Sequence, residues 1–199
     1  VRRTRLSVCV TFVVDASDSM GARRRLAVVK SSVLALLRRA YQGRHKVAVV
    51  AFGGEQGRVL LRPTAGVSVA RRALLKLRPE GATPMAAGLE KTIELLHGVQ
   101  AREAADFSVA VLLSDGEANV PLRRGEDPKA EVLRLLPRLR KLAAETLFID
   151  TKPAGRGRGE SEMLRFARAA GGRYYGSGQL SAGGLVAAVS RAEVRGGAR

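Results

Sequence analysis

Residues 6–19 read LSVCVTFVVDASDS. From 6 to 14 the run is apolar apart from Ser7 and Thr11, rich in β-branched residues, and free of Gly and Pro. A short, uninterrupted run of this kind is what a strand buried on both faces requires. It stops at Asp15, and Ser17, Asp18 and Ser19 follow at once. The chain thus places a carboxylate and hydroxyls immediately past a strand end, where open α/β sheets bind their ligands.

Working outward, residues 21–41 carry Leu26, Val29, Val33, Leu34, Leu36 and Leu37 at helical spacing with Arg and Lys between them. The spacing predicts an amphipathic helix, with Gly43 as its stop. KVAVVAF at 46–52 predicts a second strand, and Gly53 and Gly54 turn the chain. RVLLR at 58–62 follows too closely for a helical crossover, so it is expected to pair antiparallel through a hairpin. Helices are expected at 67–77 and 85–98, with Pro84 in the first turn of the latter. FSVAVLLS at 107–114 predicts another strand, and a polar loop covers 116–127. A helix over 128–144 should kink or break at Pro137. A strand at 145–150 and a mobile Gly- and Arg-rich loop at 152–160 come next. A helix at 161–170, a strand at 173–175, a helix at 181–192 and a frayed RGGAR tail complete the order. Tyr174 and Tyr175 are expected to pack on an edge strand.

Strands alternating with helices predict an α/β fold with a mostly parallel sheet covered on both faces. At 199 residues without a dividing linker, one domain over 1–199 with its core at about 6–192 is the expectation. The apolar fraction is 46% but aromatics are only 4% and Trp is absent, so Leu, Val and Ala must build the core. No apolar run reaches the ~20 residues of a membrane span. The first run ends in Asp15 rather than a small-residue cleavage site, so it reads as a core strand and not a secretion signal. Cys9 is the only cysteine, which excludes an internal disulfide and fits a reducing compartment; a buried, inert thiol is expected.

The formal charge of +17 implies a surface attracted to polyanions or to an acidic protein segment. Nucleic acid is not the expected partner, because stacking aromatics are scarce and no reading motif is present. His45 and His97 stand apart from any nucleophile, and no phosphate-binding loop occurs, so neither triad chemistry nor ATP hydrolysis is expected.

Three loops hold the remaining chemistry. Asp15, Ser17 and Ser19 follow the first strand, Thr83 precedes a helix, and Asp115 closes the strand at 107–114. Taken singly, Ser17 or Ser19 could cap the next helix and Asp115-Gly116 could simply turn the chain. Taken together they supply two carboxylates and three hydroxyls, all hard oxygen donors, with no His or Cys nearby. A magnesium ion, which favours few carboxylates and retained waters, suits that set; softer metals do not.

The Asp-x-Ser-x-Ser pattern at 15–19, with Thr83 and Asp115-Gly116 downstream, resembles the metal-ion-dependent adhesion site of von Willebrand factor A-type domains. The resemblance implies that Ser17, Ser19 and Thr83 contact one Mg2+ directly or through water, that Asp15 and Asp115 hold it largely through waters or hydroxyls, and that a partner's carboxylate completes its shell. Mn2+ is the expected substitute. Asp18 departs from the family, which usually has Gly there; a solvent-facing side chain is expected. FVVDASDSM, KVAVVAFGGEQGRVLLRPT, the run at 83–89, VLLSDGEANVPL and FIDT…FARAAGGRYY extend the likeness across 5–177. In these stretches the chain is similar to the C-terminal domain of magnesium-chelatase D subunits. That resemblance implies a Rossmann-like three-layer fold with a six-stranded sheet and one short antiparallel edge strand. It also implies a cytoplasmic, non-catalytic interaction module that helps couple an AAA+ ATPase subunit to a large porphyrin-binding subunit during metal insertion. A cobalt-chelatase component, or a free-standing A-domain adaptor, is the alternative it leaves open.

Overall fold

The structure, a computed structural model, describes residues 7–18, 22–40, 45–152, 160–177 and 181–196. The elements run β1 (Val8–Asp15), α1 (Ala22–Ala40), β2 (Lys46–Gly53), β3 (Gln56–Thr64), α2 (Val67–Leu75), α3 (Met85–Ala101), β4 (Phe107–Ser114), α4 (Pro128–Leu142), β5 (Glu145–Asp150), α5 (Glu162–Ala170), β6 (Arg173–Tyr175) and α6 (Ala182–Gly196). The strands form one six-stranded sheet in the order β3-β2-β1-β4-β5-β6. Every pairing is parallel except β2 with β3. That antiparallel edge strand follows from chain length: Gly53 pairs with Gln56, so only Gly54 and Glu55 make the turn. Gly54 has φ +62°, at the first central position where a two-residue hairpin favours Gly.

Side-chain alternation divides the core in two. Val8, Val10, Phe12 and Val14 of β1 pack with α1, α2 and α6 on one face. Val13 of β1 and Ala110 and Leu112 of β4 pack with α3, α4 and α5 on the other. β1 is buried along its whole length, as its unbroken apolar run requires. Asp15 and Ser114, the last residues of β1 and β4, continue the alternation onto the α3 face. The start of α3 lies on that same face.

Several boundaries move. β3 extends to Gln56–Thr64 and β1 takes in Asp15. α2 stops at Leu75, and α3 runs three residues further, to Ala101. Helix α4 is not broken at Pro137: it is continuous from Pro128 to Leu142, with Asp127 capping the backbone N–H of Lys129 and Ala130. Leu135, Leu136 and Leu139 on either side of Pro137 are buried, and that packing holds the turn despite its missing donor. Pro84 sits one residue outside α3, as its N-cap. Tyr174 and Tyr175 lie half-buried on the β6 edge strand and pack against opposite core faces. Cys9 is fully buried, and burial pushes its thiol up to about 11. Residues 153–159 of the Gly- and Arg-rich loop and the end of the tail, 197–199, fall outside the described residues.

Candidate metal centre

β1 and β4 are adjacent and parallel, so Asp15 and Asp115 leave the sheet at neighbouring strand ends. Asp15 is fully buried. Its Oδ1 accepts a hydrogen bond from the backbone N–H of Ser17 at 2.8 Å, and its Oδ2 accepts one from the Ser114 hydroxyl at 2.6 Å. The Ser114 hydroxyl in turn accepts from the Gly116 N–H at 3.2 Å, which ties Asp15 to the turn carrying Asp115. Asp115 is half-exposed, and its Oδ1 accepts from the Glu117 N–H at 3.1 Å.

The third loop closes the circuit. The Asp18 N–H donates to the Gly81 carbonyl at 3.0 Å and the Glu80 N–H donates to the Ala16 carbonyl at 2.6 Å, so the loop after β1 lies directly against 80–84. Thr83, also buried, is bracketed by Asn119: its N–H donates to Asn119 Oδ1 at 2.7 Å, and its carbonyl accepts from the Asn119 N–H at 3.2 Å. Each of the three loops is thus bonded to another. The loops that carry Asp15, Ser17, Thr83 and Asp115 meet at one rim of the sheet; Ser19 lies outside the described residues. Asp18 is exposed, and its backbone carries its bond to the neighbouring loop.

Several supporting residues were not legible as site residues. Ser114 and Asn119 read as a strand end and a loop polar residue, because their partners lie 99 and 36 positions away. Glu80 accepts a two-pronged contact from Arg58 of β3, and that guanidinium holds the Glu80 carboxyl below its usual range. Buried Glu131 on α4 accepts from the N–H groups of Leu122 and Arg123 and so anchors the long loop after β4. Asp150, the buried end of β5, accepts from the Ser161 and Tyr174 hydroxyls and from the Lys152 N–H. Burial, and then the nearby Asp150 carboxylate, raise the Tyr174 hydroxyl's pKa.

The donor set fits a hard dication. Among the described residues no three His, Cys, Asp or Glu side chains gather into a cage, so an ion on this rim would rely on hydroxyls and water beside few carboxylates. Both Asp15 oxygens are already engaged by protein donors, which suits a carboxylate acting through a hydroxyl or a water rather than by direct contact.

Residues 10–117 match the family model for the von Willebrand factor type A domain. The chain is 34% identical over 174 residues to the magnesium-chelatase 67 kDa subunit of Chlorobaculum tepidum, covering 82% of this chain and 27% of that protein. It is 41% identical over 128 residues to an uncharacterised protein of Mycobacterium tuberculosis, covering 64% of this chain and 20% of that one. The chain therefore spans only about a fifth to a quarter of these relatives. Among solved structures, a von Willebrand factor type A protein from Catenulispora acidiphila superposes with a TM-score of 0.65 over 95% of this chain and 43% of its own, at 19% identity. The six-stranded sheet, its single antiparallel edge and the match over 10–117 agree: this chain belongs to the von Willebrand factor type A domain family.

Proposed function

We propose that the chain is the magnesium-dependent protein-interaction module of a magnesium-chelatase D-type subunit, helping couple an AAA+ ATPase to metal insertion into a porphyrin. The observation that supports it most is the hydrogen-bonded circuit joining the loops of Asp15, Thr83 and Asp115. Similarity to the Chlorobaculum tepidum subunit over 82% of the chain supports the chelatase assignment. Asp15, Ser17, Ser19, Thr83 and Asp115 would hold one Mg2+, with Mn2+ able to replace it. The bound ion would supply an open position for a carboxylate of the partner, either the ATPase subunit or the large porphyrin-binding subunit. The chain's own residues orient rather than react: Asp15 fixes the Ser17 backbone and the Ser114 hydroxyl, and Asn119 fixes Thr83. In this reading the module is not itself catalytic and works in the cytoplasm. No described helix is long and apolar enough to cross a membrane.

Calorimetric magnesium titration tests the site. Asp15→Ala should weaken binding by about 10–100-fold, the usual cost of losing a group that orients metal ligands. Asp18→Gly should titrate like the parent, since the Asp18 side chain is exposed. Equal affinity for the parent and Asp15→Ala would refute the metal reading.

A further inference from the structure

The excess positive charge is unevenly placed. α1 and α2 contain no Asp or Glu, and they pack against each other on one side of the sheet. Arg23, Arg24 and Arg38 of α1, Arg71 and Arg72 of α2, and Lys76 at its C-cap are all exposed. None of these six takes part in an ion pair among the described residues. On the opposite side the basic residues are interleaved with acids: Lys91 pairs with Glu94, Lys129 and Arg165 with Glu162, and Arg134 with Glu126. Arg138, Arg140 and Lys141 of α4 have no ion pair among the described residues either, but that side mixes them with acids, whereas α1 and α2 carry none.

The uncompensated face is also apolar in places. Val69 and Leu75 of α2 are 47% and 67% exposed, and Val194 of the neighbouring α6 is 76% exposed. Two of the four large apolar side chains that the described residues leave exposed therefore lie on α2, and a third on α6 beside α1. Phosphate backbones reward positive charge but gain nothing from Leu and Val, and among the described residues of this face no exposed aromatic offers base stacking. An acidic protein segment bearing aliphatic side chains satisfies both features at once, because apolar anchors amid a charged rim make a protein-binding surface.

We propose that the α1–α2 face docks an acidic, Leu-bearing segment of a partner protein. The Arg and Lys side chains steer and orient the segment, and Val69 and Leu75 receive its aliphatic groups. This surface does not depend on the metal reading, since none of its side chains is among Asp15, Ser17, Ser19, Thr83 and Asp115.

The test is fluorescence anisotropy of the 199-residue chain with a labelled Glu-rich peptide carrying Leu at every fourth position. The comparison probes are an all-Glu peptide, a single-stranded DNA oligonucleotide of equal length, and phosphatidylserine vesicles. R71E/R72E/K76E should weaken binding of the Leu-bearing peptide by about tenfold or more, because three attractions become repulsions. R138E/R140E/K141E, which changes the net charge equally on exposed positions of α4, should leave it within about twofold. Leu75→Ser should weaken the Leu-bearing peptide and not the all-Glu one. Circular dichroism of each variant checks folding, and chelation of divalent ions should change nothing. Equal loss in the two triple variants, no advantage of the Leu-bearing peptide over the all-Glu peptide, or tighter binding of the DNA or the vesicles at the same ionic strength would each overturn the proposal.

Discussion

Thr83 is held through its backbone, and the side chain that holds it belongs to another loop. Asn119 Oδ1 takes the Thr83 N–H at 2.7 Å, immediately before Pro84 begins the turn into α3. Removing that acceptor leaves a part-buried N–H unsatisfied, which costs about 1–3 kcal/mol, and frees Thr83 to drift from the rim. Asn119→Ala should therefore weaken magnesium binding several-fold, whereas Asn119→Asp, which keeps the acceptor oxygen, should restore most of it. Parallel titrations decide the matter: an Asn119→Ala variant that binds magnesium like the parent would remove Asn119 as a positioning residue. The strand-end positions of Asp15, Ser17 and Asp115 could be read from the sequence because each lies at or just past the end of an apolar run, and strand ends are where a ligand site is sought. Asn119 could not be read in that way. A loop Asn has many local uses, and nothing in its neighbours points across 36 residues to Thr83.

At the scale of elements, β4 and β5 were legible to the residue because their runs are bounded and buried, and β1 and β4 are buried at all or nearly all positions. The edge strand β3, with its polar ends, runs two residues further each way than its apolar run. Helix ends were less legible. α3 continues to Ala101 because Val99 still packs on Cys9 and Ala48, a contact invisible before the strands are in place. Pro137 was misleading for the same reason, since tertiary packing outweighs a local penalty. Gly88 offers a sharper case of packing against propensity. Within α3, Ala in place of Gly should stabilise the helix by roughly 1 kcal/mol on propensity alone. A Cβ at Gly88, however, would lie 2.5 Å from Cδ1 and 2.9 Å from Cβ of Phe52, which is completely buried. The ring cannot swing away without displacing its neighbours, and overpacking costs about 1–3 kcal/mol. Packing should win. Gly88→Ala is expected to lower the urea midpoint with an unchanged slope, and a raised midpoint would mean that the β2–α3 contact is looser than these distances imply.

For the molecule as a whole, a formal charge of +17 on 199 residues opposes the compact state through self-repulsion. Surface ion pairs such as Arg58–Glu80 and Lys91–Glu94 pull the other way, but each is worth only about 0–1 kcal/mol. Salt screens both contributions, so the sign of the net response shows which is larger. The basic side chains of α1 and α2 have no described acidic partner, which leaves repulsion in excess on that face. Raising NaCl from about 20 to about 300 mM, which shortens the screening length from roughly 20 Å to under about 6 Å, should therefore raise the melting temperature. A gain of about 1 kcal/mol would appear as roughly 2–4 °C for a chain of this size. R71E/R72E/K76E, which brings the formal charge down to about +11, should melt higher than the parent at low salt and respond less to added salt. Scanning calorimetry of the two proteins across the salt series separates the cases. If the parent instead melts lower as salt is added, the paired charges dominate and the α1–α2 face is neutralised within the chain itself, leaving no unmet charge there for an acidic partner.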